Sequence, residues 1–155
     1  MPEFRKDPLF GGWVIVAEER GTKPYQFGEG WERESSFPCV FCPGRESCTP
    51  PEVFSIREKG TLPNEKGWRV RVVPNRFPAL SPCEPLHQYI DGFYERMSGF
   101  GVHEVIIETP DHYLDLVDFP LEQVEEVLRV YRERMRELGE DPRLRYCLIF
   151  KNQGE

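Results

Sequence analysis

The sequence has no apolar run long enough to cross a bilayer. Its longest, such as Val105-Ile106-Ile107, fall far short of the ~20 residues a spanning helix needs, and Met1-Pro2-Glu3-Phe4-Arg5 carries no apolar signal segment. Neither membrane association nor secretion is expected, and a cytoplasmic location is. Positive charge is also scarce: 20 basic residues face 27 acidic ones, for a net charge of −7. With no long-range field to draw polyanions, a nucleic acid polymer is not expected as a partner, although a few local basic side chains can still hold a small phosphate. Internal repeats and low-complexity segments are absent. The five cysteines are odd in number and irregular in spacing, which fits reduced thiols better than a disulfide framework.

What is present is enough for a packed core in one domain: 155 residues, of which 39% are hydrophobic. Nine of the fifteen prolines cluster between residues 34 and 85, so this stretch reads as long turns and short strands pinned by a few tight contacts. A metal is a natural pin. Phe37-Pro38-Cys39-Val40-Phe41-Cys42-Pro43-Gly44 sets two thiols two residues apart on a Pro/Gly turn, half of a tetrahedral zinc site. His112, in Glu108-Thr109-Pro110-Asp111-His112, is the nearest plausible further donor. Redox activity and plain buried thiols are the competing readings. The redox reading lacks a strand running straight into a helix whose N-terminus would stabilise a thiolate, and Pro43-Gly44 make a knuckle turn instead. Cys48 is a possible accessory ligand, Cys83 and Cys147 read as ordinary small apolar residues, and His87 and His103 read as bland.

Gly12 to Ala17 reads as a first strand, and residues 25 to 36 as surface loop. Trp68, Val70 and Val72 alternate with Arg69 and Arg71 in a half-buried strand that stops at Pro74-Asn75. Further strands are expected over 102 to 109 and 146 to 150, all in one antiparallel sheet. Between those two lies a helix over 120 to 138, with Asp118 as cap and Pro120 in the first turn. Leu121, Val124, Val127, Leu128, Tyr131, Met135 and Leu138 form its apolar stripe, and Gly139 ends it. Its charged face, Glu122, Glu125, Glu126, Arg129, Arg132, Glu133 and Arg136, reads as solvated. Strands bracketing one helix give an α+β class.

Several segments together carry a resemblance: Arg5-Lys6-Asp7-Pro8, Trp13 to Ala17, the Arg20 to Pro24 turn, Cys39 to Gly44, Thr49 to Val53, Trp68 to Leu80, Gly101 to His112, and Phe150 to Gly154. The chain resembles the N-terminal half of the galactose-1-phosphate uridylyltransferases, a branch of the histidine triad superfamily, over nearly its whole length. The resemblance implies a histidine-triad-like antiparallel sheet backed by one long packing helix, with a zinc knuckle. It implies transfer of a uridylyl group from UDP-glucose to galactose 1-phosphate through a covalent uridylyl-histidine, so UDP-glucose, UDP-galactose and hexose 1-phosphate are the expected partners. It also implies a homodimer for the intact protein.

Residue by residue, the resemblance implies that Arg20 and Lys23 contact nucleotide phosphates, with Lys23 standing where arginine is common. It likewise places Asn75 at the uridine part, Asn152 beside the phosphates, and Cys39, Cys42 and His112 on a structural zinc. The family's remaining ligand and its nucleophile belong to a His-Pro-His segment expected just beyond Asn152-Gln153-Gly154, whereas this sequence reaches Glu155. No catalytic residue is therefore named within the 155 residues, which read as a piece of a longer enzyme, inactive alone, rather than a natural short chain. Relatives that transfer adenylyl groups leave the base open, since the pocket is expected around 49 to 56 and 75 to 80. A non-catalytic zinc-stabilised binding module is the alternative from another functional class.

Overall fold

The computed structural model describes residues 1–18, 20 and 39–151. The loop expected over 25 to 36, Lys23 and Asn152 lie outside the described residues. The ordered elements are β1 (Glu3–Lys6), β2 (Trp13–Val16), β3 (Phe54–Arg57), β4 (Trp68–Pro74), β5 (Gln88–Asp91), β6 (Tyr94–Ser98), β7 (Glu104–Ile107) and α1 (Leu121–Leu138). The class is α+β, as expected. The single sheet is not: the strands form two antiparallel sheets, β2-β1-β6-β5 and β3-β4-β7.

In the first sheet, paired residues share a face, so Phe4 lies between Ile15 and Met97. The opposite face is charged, with Glu3 holding Arg5 and Arg96. The β5–β6 hairpin closes on Gly92-Phe93, and Gly92 has the positive φ (+63°) that both primed hairpin turns require at their first central position. Gly92 was readable as a turn signal in the sequence, yet β5 and β6 were not expected there, nor were β1 and β3.

The second sheet carries the core. β4 is its middle strand, with Val70 and Val72 buried against Val127 and Val130 of α1, and Phe54, Ile56, Ile106, Phe119 and Tyr131 packing around them. Burying each valine contributes roughly 1.5–3 kcal/mol. The helix bounds agree with expectation, but its inward face is rotated. Val130 and Arg134 are buried, whereas Leu121, Leu128 and Met135 are exposed. Asp118 does not cap α1. Its carboxylate accepts from the Asp115 amide in the short helical turn Leu116–Asp118, and Pro120 takes the N-cap position. The strand expected over 146 to 150 is also absent. Tyr146, Leu148 and Phe150 alternate as a strand would, but no described segment offers that stretch a ladder partner, and all three are exposed. Cys83 and Cys147 are exposed rather than core-like.

Arg71, expected to point to solvent, is 1% exposed. Its Nε donates to Glu52 Oε2 at 2.9 Å, one terminal nitrogen donates to Thr49 Oγ1 at 2.9 Å, and the other to the Glu46 carbonyl at 3.5 Å. Arg57 adds a second cation on Glu52, with one nitrogen 2.9 Å from each carboxylate oxygen. Burial disfavours the Glu52 carboxylate, but hydrogen bonds from Arg71 and Ser55 and the charge of Arg57 outweigh it, so its pKa lies below the ordinary 4.5. Glu46 is likewise opposed by burial and held low by Trp68 and the Gly44 amide.

Because both folded-state pKa values are depressed, the stability these carboxylates contribute is complete above about pH 4.5 and disappears as the pH falls through the folded values. Urea unfolding should show a plateau through neutral pH and a decline on acidification below that point. Arg71→Ala strands buried carboxylate, so it should cost about 3–5 kcal/mol at neutral pH and flatten the acid decline.

Candidate functional site

The Pro-rich segment folds into a tight knuckle. The Cys42 amide donates to the Cys39 carbonyl at 3.3 Å, the Phe41 amide to Cys39 Sγ at 3.4 Å, and the Arg45 amide to the Cys42 carbonyl at 3.2 Å. Gly44 takes φ +89°, a left-handed conformation that favours glycine, and its amide donates to both Glu46 carboxylate oxygens. Glu46 in turn accepts from Trp68 Nε1 at 2.9 Å, so one buried carboxylate fastens the knuckle to the first residue of β4.

His112 reaches this knuckle from the chain that follows β7. The Asp111 amide donates to Thr109 Oγ1, the Tyr113 amide to Asp111 Oδ1, and the Tyr113 ring meets the imidazole edge-on at 5.0 Å. The donor atoms of Cys39, Cys42 and His112 all lie within 4.8 Å of one another, and Cys42 Sγ is 3.4 Å from His112 Nδ1. In a tetrahedral site with metal–sulfur and metal–nitrogen bonds of about 2.3 and 2.0 Å, sulfur and nitrogen stand about 3.5 Å apart. The geometry therefore fits one metal ion held by the three residues picked from sequence. Cys48 is not in the cluster. Burial and the neighbouring Cys39 push the Cys42 thiol pKa up, an environment in which a bound cation would favour the thiolate.

A second polar constellation forms where β4 ends. Asn75 Oδ1 accepts the Phe77 amide at 2.8 Å, and the Asn75 amide donates to the His103 carbonyl at 2.8 Å. Arg20 donates to the Phe77 carbonyl at 2.8 Å and lies 3.5 Å from His103 Nδ1. Arg20 and Asn75, distant in sequence, thus meet on one turn over 75–79. His103, which read as bland, joins them: its Nδ1 accepts the Ala79 amide at 2.9 Å and its Nε2 lies 3.2 Å from Asn75 Nδ2. Its position directly before an apolar strand, 28 residues from Asn75, gave no local signal. Lys151, which precedes Asn152, pairs with the Glu108 carboxylate, which also accepts the Tyr131 hydroxyl; burial and that bond push the Tyr131 pKa up.

A family profile described as "Galactose-1-phosphate uridyl transferase, N-terminal domain" matches residues 1–155. The chain belongs to that family. ADP-glucose phosphorylase of Arabidopsis thaliana is 33% identical over 99% of this chain and 44% of its own length. Galactose-1-phosphate uridylyltransferase of Thermotoga maritima is 28% identical over 100% of this chain and 42% of its own. The chain thus spans less than half the length of these curated relatives. Among solved structures, a uridylyltransferase mutant superposes with a TM-score of 0.61 at 28% identity, over 90% of this chain and 35% of that one. An Arabidopsis thaliana ADP-glucose phosphorylase with bound ADP-glucose does so with a TM-score of 0.54 at 31% identity, over 94% and 41%.

Replacing Cys42 by serine removes one of the three convergent donors. Metal analysis of the purified variant should show loss of the bound ion, and its thermal midpoint should fall by several degrees, as should that of the unchanged protein after chelation. Cys48→Ser should leave both quantities unaltered.

Proposed function

We propose that the chain is the nucleotide-binding and metal-binding part of a sugar-nucleotide transferase that moves a uridylyl group from UDP-glucose to galactose 1-phosphate. The observation that carries this reading is the convergence of Arg20 and Asn75 on the 75–79 turn. A guanidinium beside a turn rich in amide groups suits a nucleoside diphosphate, supplying a fixed cation for phosphate oxygens and a carboxamide for the nucleoside. Lys23 and Asn152 complete the proposed phosphate contacts.

We assign zinc to Cys39, Cys42 and His112, because two thiolates and an imidazole select zinc over the hard cations. Bound there, zinc supplies a structural tie between the knuckle and the chain beyond β7, not an activated water. The covalent step calls for an imidazole nucleophile, and none of the three histidines is assigned it: His112 belongs to the donor cluster, His103 is engaged at both ring nitrogens, and His87 stacks on Tyr89. The same reading carries inactivity of these 155 residues alone, and a cytoplasmic homodimer for the intact protein.

Transfer of an adenylyl group is the second reading, favoured by the 33% identity to a relative named ADP-glucose phosphorylase. Titration calorimetry with UDP-glucose and ADP-glucose separates the two by which donor binds more tightly. Arg20→Ala removes the phosphate cation, and Asn75→Asp keeps an oxygen for the Phe77 amide while losing the NH2 donor. Each should weaken binding of the preferred donor about tenfold or more with an unchanged thermal midpoint, as loss of a charge-assisted or ligand-facing hydrogen bond implies. Unaltered binding in both would sink the nucleotide reading and favour a non-catalytic module.

A further inference from the structure

We infer that Glu108 is a positioning residue for phosphate binding, because its pair with Lys151 fixes the chain immediately before Asn152. The inference rests on the proposed role of Asn152 beside the phosphates. Past the Leu144 amide, which donates to the Asp141 carbonyl at 3.0 Å, the stretch 145–151 makes no ladder and no backbone hydrogen bond among the described residues. Tyr146, Cys147, Leu148 and Phe150 are exposed, and Ile149 is half-buried. Among the described residues, the Lys151 ammonium on the Glu108 carboxylate is the one polar contact that ties this stretch to the body of the fold.

The acidic half of the pair is held from several sides. Glu108 directly follows β7, and its side chain is 12% exposed against 37% for Lys151. One carboxylate oxygen accepts the Tyr131 hydroxyl of α1, and the other takes Lys151. The Glu108 carbonyl accepts from Gln123 Nε2 of α1, which also donates to the Arg69 carbonyl of β4 at 3.2 Å. A carboxylate already immobilised in this way loses little freedom on pairing, and its partial burial weakens screening by salt, so the contact holds better than an exposed ion pair. A hydrogen bond from a carboxamide to a phosphate oxygen holds only over roughly 2.7–3.2 Å, so its strength follows the placement of the chain that carries the donor.

Substitutions on both sides of the pair separate this role from direct ligand contact. Lys151→Met removes the cation, and Lys151→Arg keeps it. Glu108→Ala is made in a Tyr131→Phe background, so that no hydroxyl is left without its acceptor, and is compared with Tyr131→Phe alone. Binding of UDP-glucose, ADP-glucose, uridine and adenosine to the intact gene product is measured by calorimetry beside the thermal midpoint.

Lys151→Met and Glu108→Ala should each weaken binding of the preferred nucleotide sugar about tenfold and leave its nucleoside within about twofold, because the nucleoside is assigned to Asn75 and not to Asn152. A general loss of stability would weaken both ligands alike. Lys151→Arg should bind the nucleotide sugar within about threefold of the unchanged protein. The double variant Lys151→Met with Asn152→Ala should bind no more weakly than Asn152→Ala alone, as expected of residues acting through one contact. Weaker binding in Lys151→Met with full affinity in Glu108→Ala would mean that Lys151 touches the ligand itself, and overturns the inference. Losses that add in the double variant, or a nucleoside weakened as much as the nucleotide sugar, overturn it too. If the Tyr131→Phe background does not fold, Lys151→Met alone and with Asn152→Ala decides by the same criteria. Failure of the underlying reading looks different, since Arg20→Ala and Asn152→Ala would then both bind like the unchanged protein.

Discussion

The buried ion pair between Arg71 and Glu52 is the constraint on which the rest of the second sheet depends. A guanidinium at the centre of a middle strand is tolerable only if its donors are met, and here they are met by the Pro-rich segment: Thr49, Glu52 and the Glu46 carbonyl. The pairing therefore does two things at once. It neutralises a charge in the core, and it fixes residues 46 to 52, which have little regular structure of their own, against β4. Glu46 carries the constraint onward to Gly44 and the knuckle, so an electrostatic anchor braces the segment that bears Cys39 and Cys42.

The β4–β7 ladder then distributes the two sites. Pro74 pairs with Glu104 at one end, and the next residue of one strand and the preceding residue of the other are Asn75 and His103. Arg71 pairs with Ile107 toward the other end, from which the chain continues to His112. The 75–79 turn proposed to bind nucleotide and the segment carrying His112, the third candidate metal donor, thus leave opposite ends of the same short ladder. Displacement of β7 relative to β4 would disturb both, and the Arg134–Glu104 clamp from α1 opposes it.

Much of this was legible from residue types. β4 announced itself through alternation and its terminal proline, α1 through its 3.6-residue periodicity, and the cluster of Cys39, Cys42 and His112 through thiol spacing and the family's motif. What escaped did so for physical reasons. Arg71 follows a polar-out pattern, and nothing local says that acidic partners from the Pro-rich segment will bury it. His103 meets Asn75, Ala79 and Arg20, all distant in sequence, so no local pattern marks it. The helix stripe was misjudged because it is apolar over more than one face, and only packing against β3 and β4 selects Val127 and Val130 over Leu128 and Met135. The segment 146 to 150 has strand composition without a strand's partner, and composition alone makes no ladder.

The order β3-β4-β7 also sets how long each backbone amide is sheltered from solvent deuterium. β4 is hydrogen-bonded on both flanks and covered by α1, so its amides open only with the sheet as a whole. β7 has one partner among the described residues, which leaves alternate amides along its outer side open to isotope exchange from the folded state.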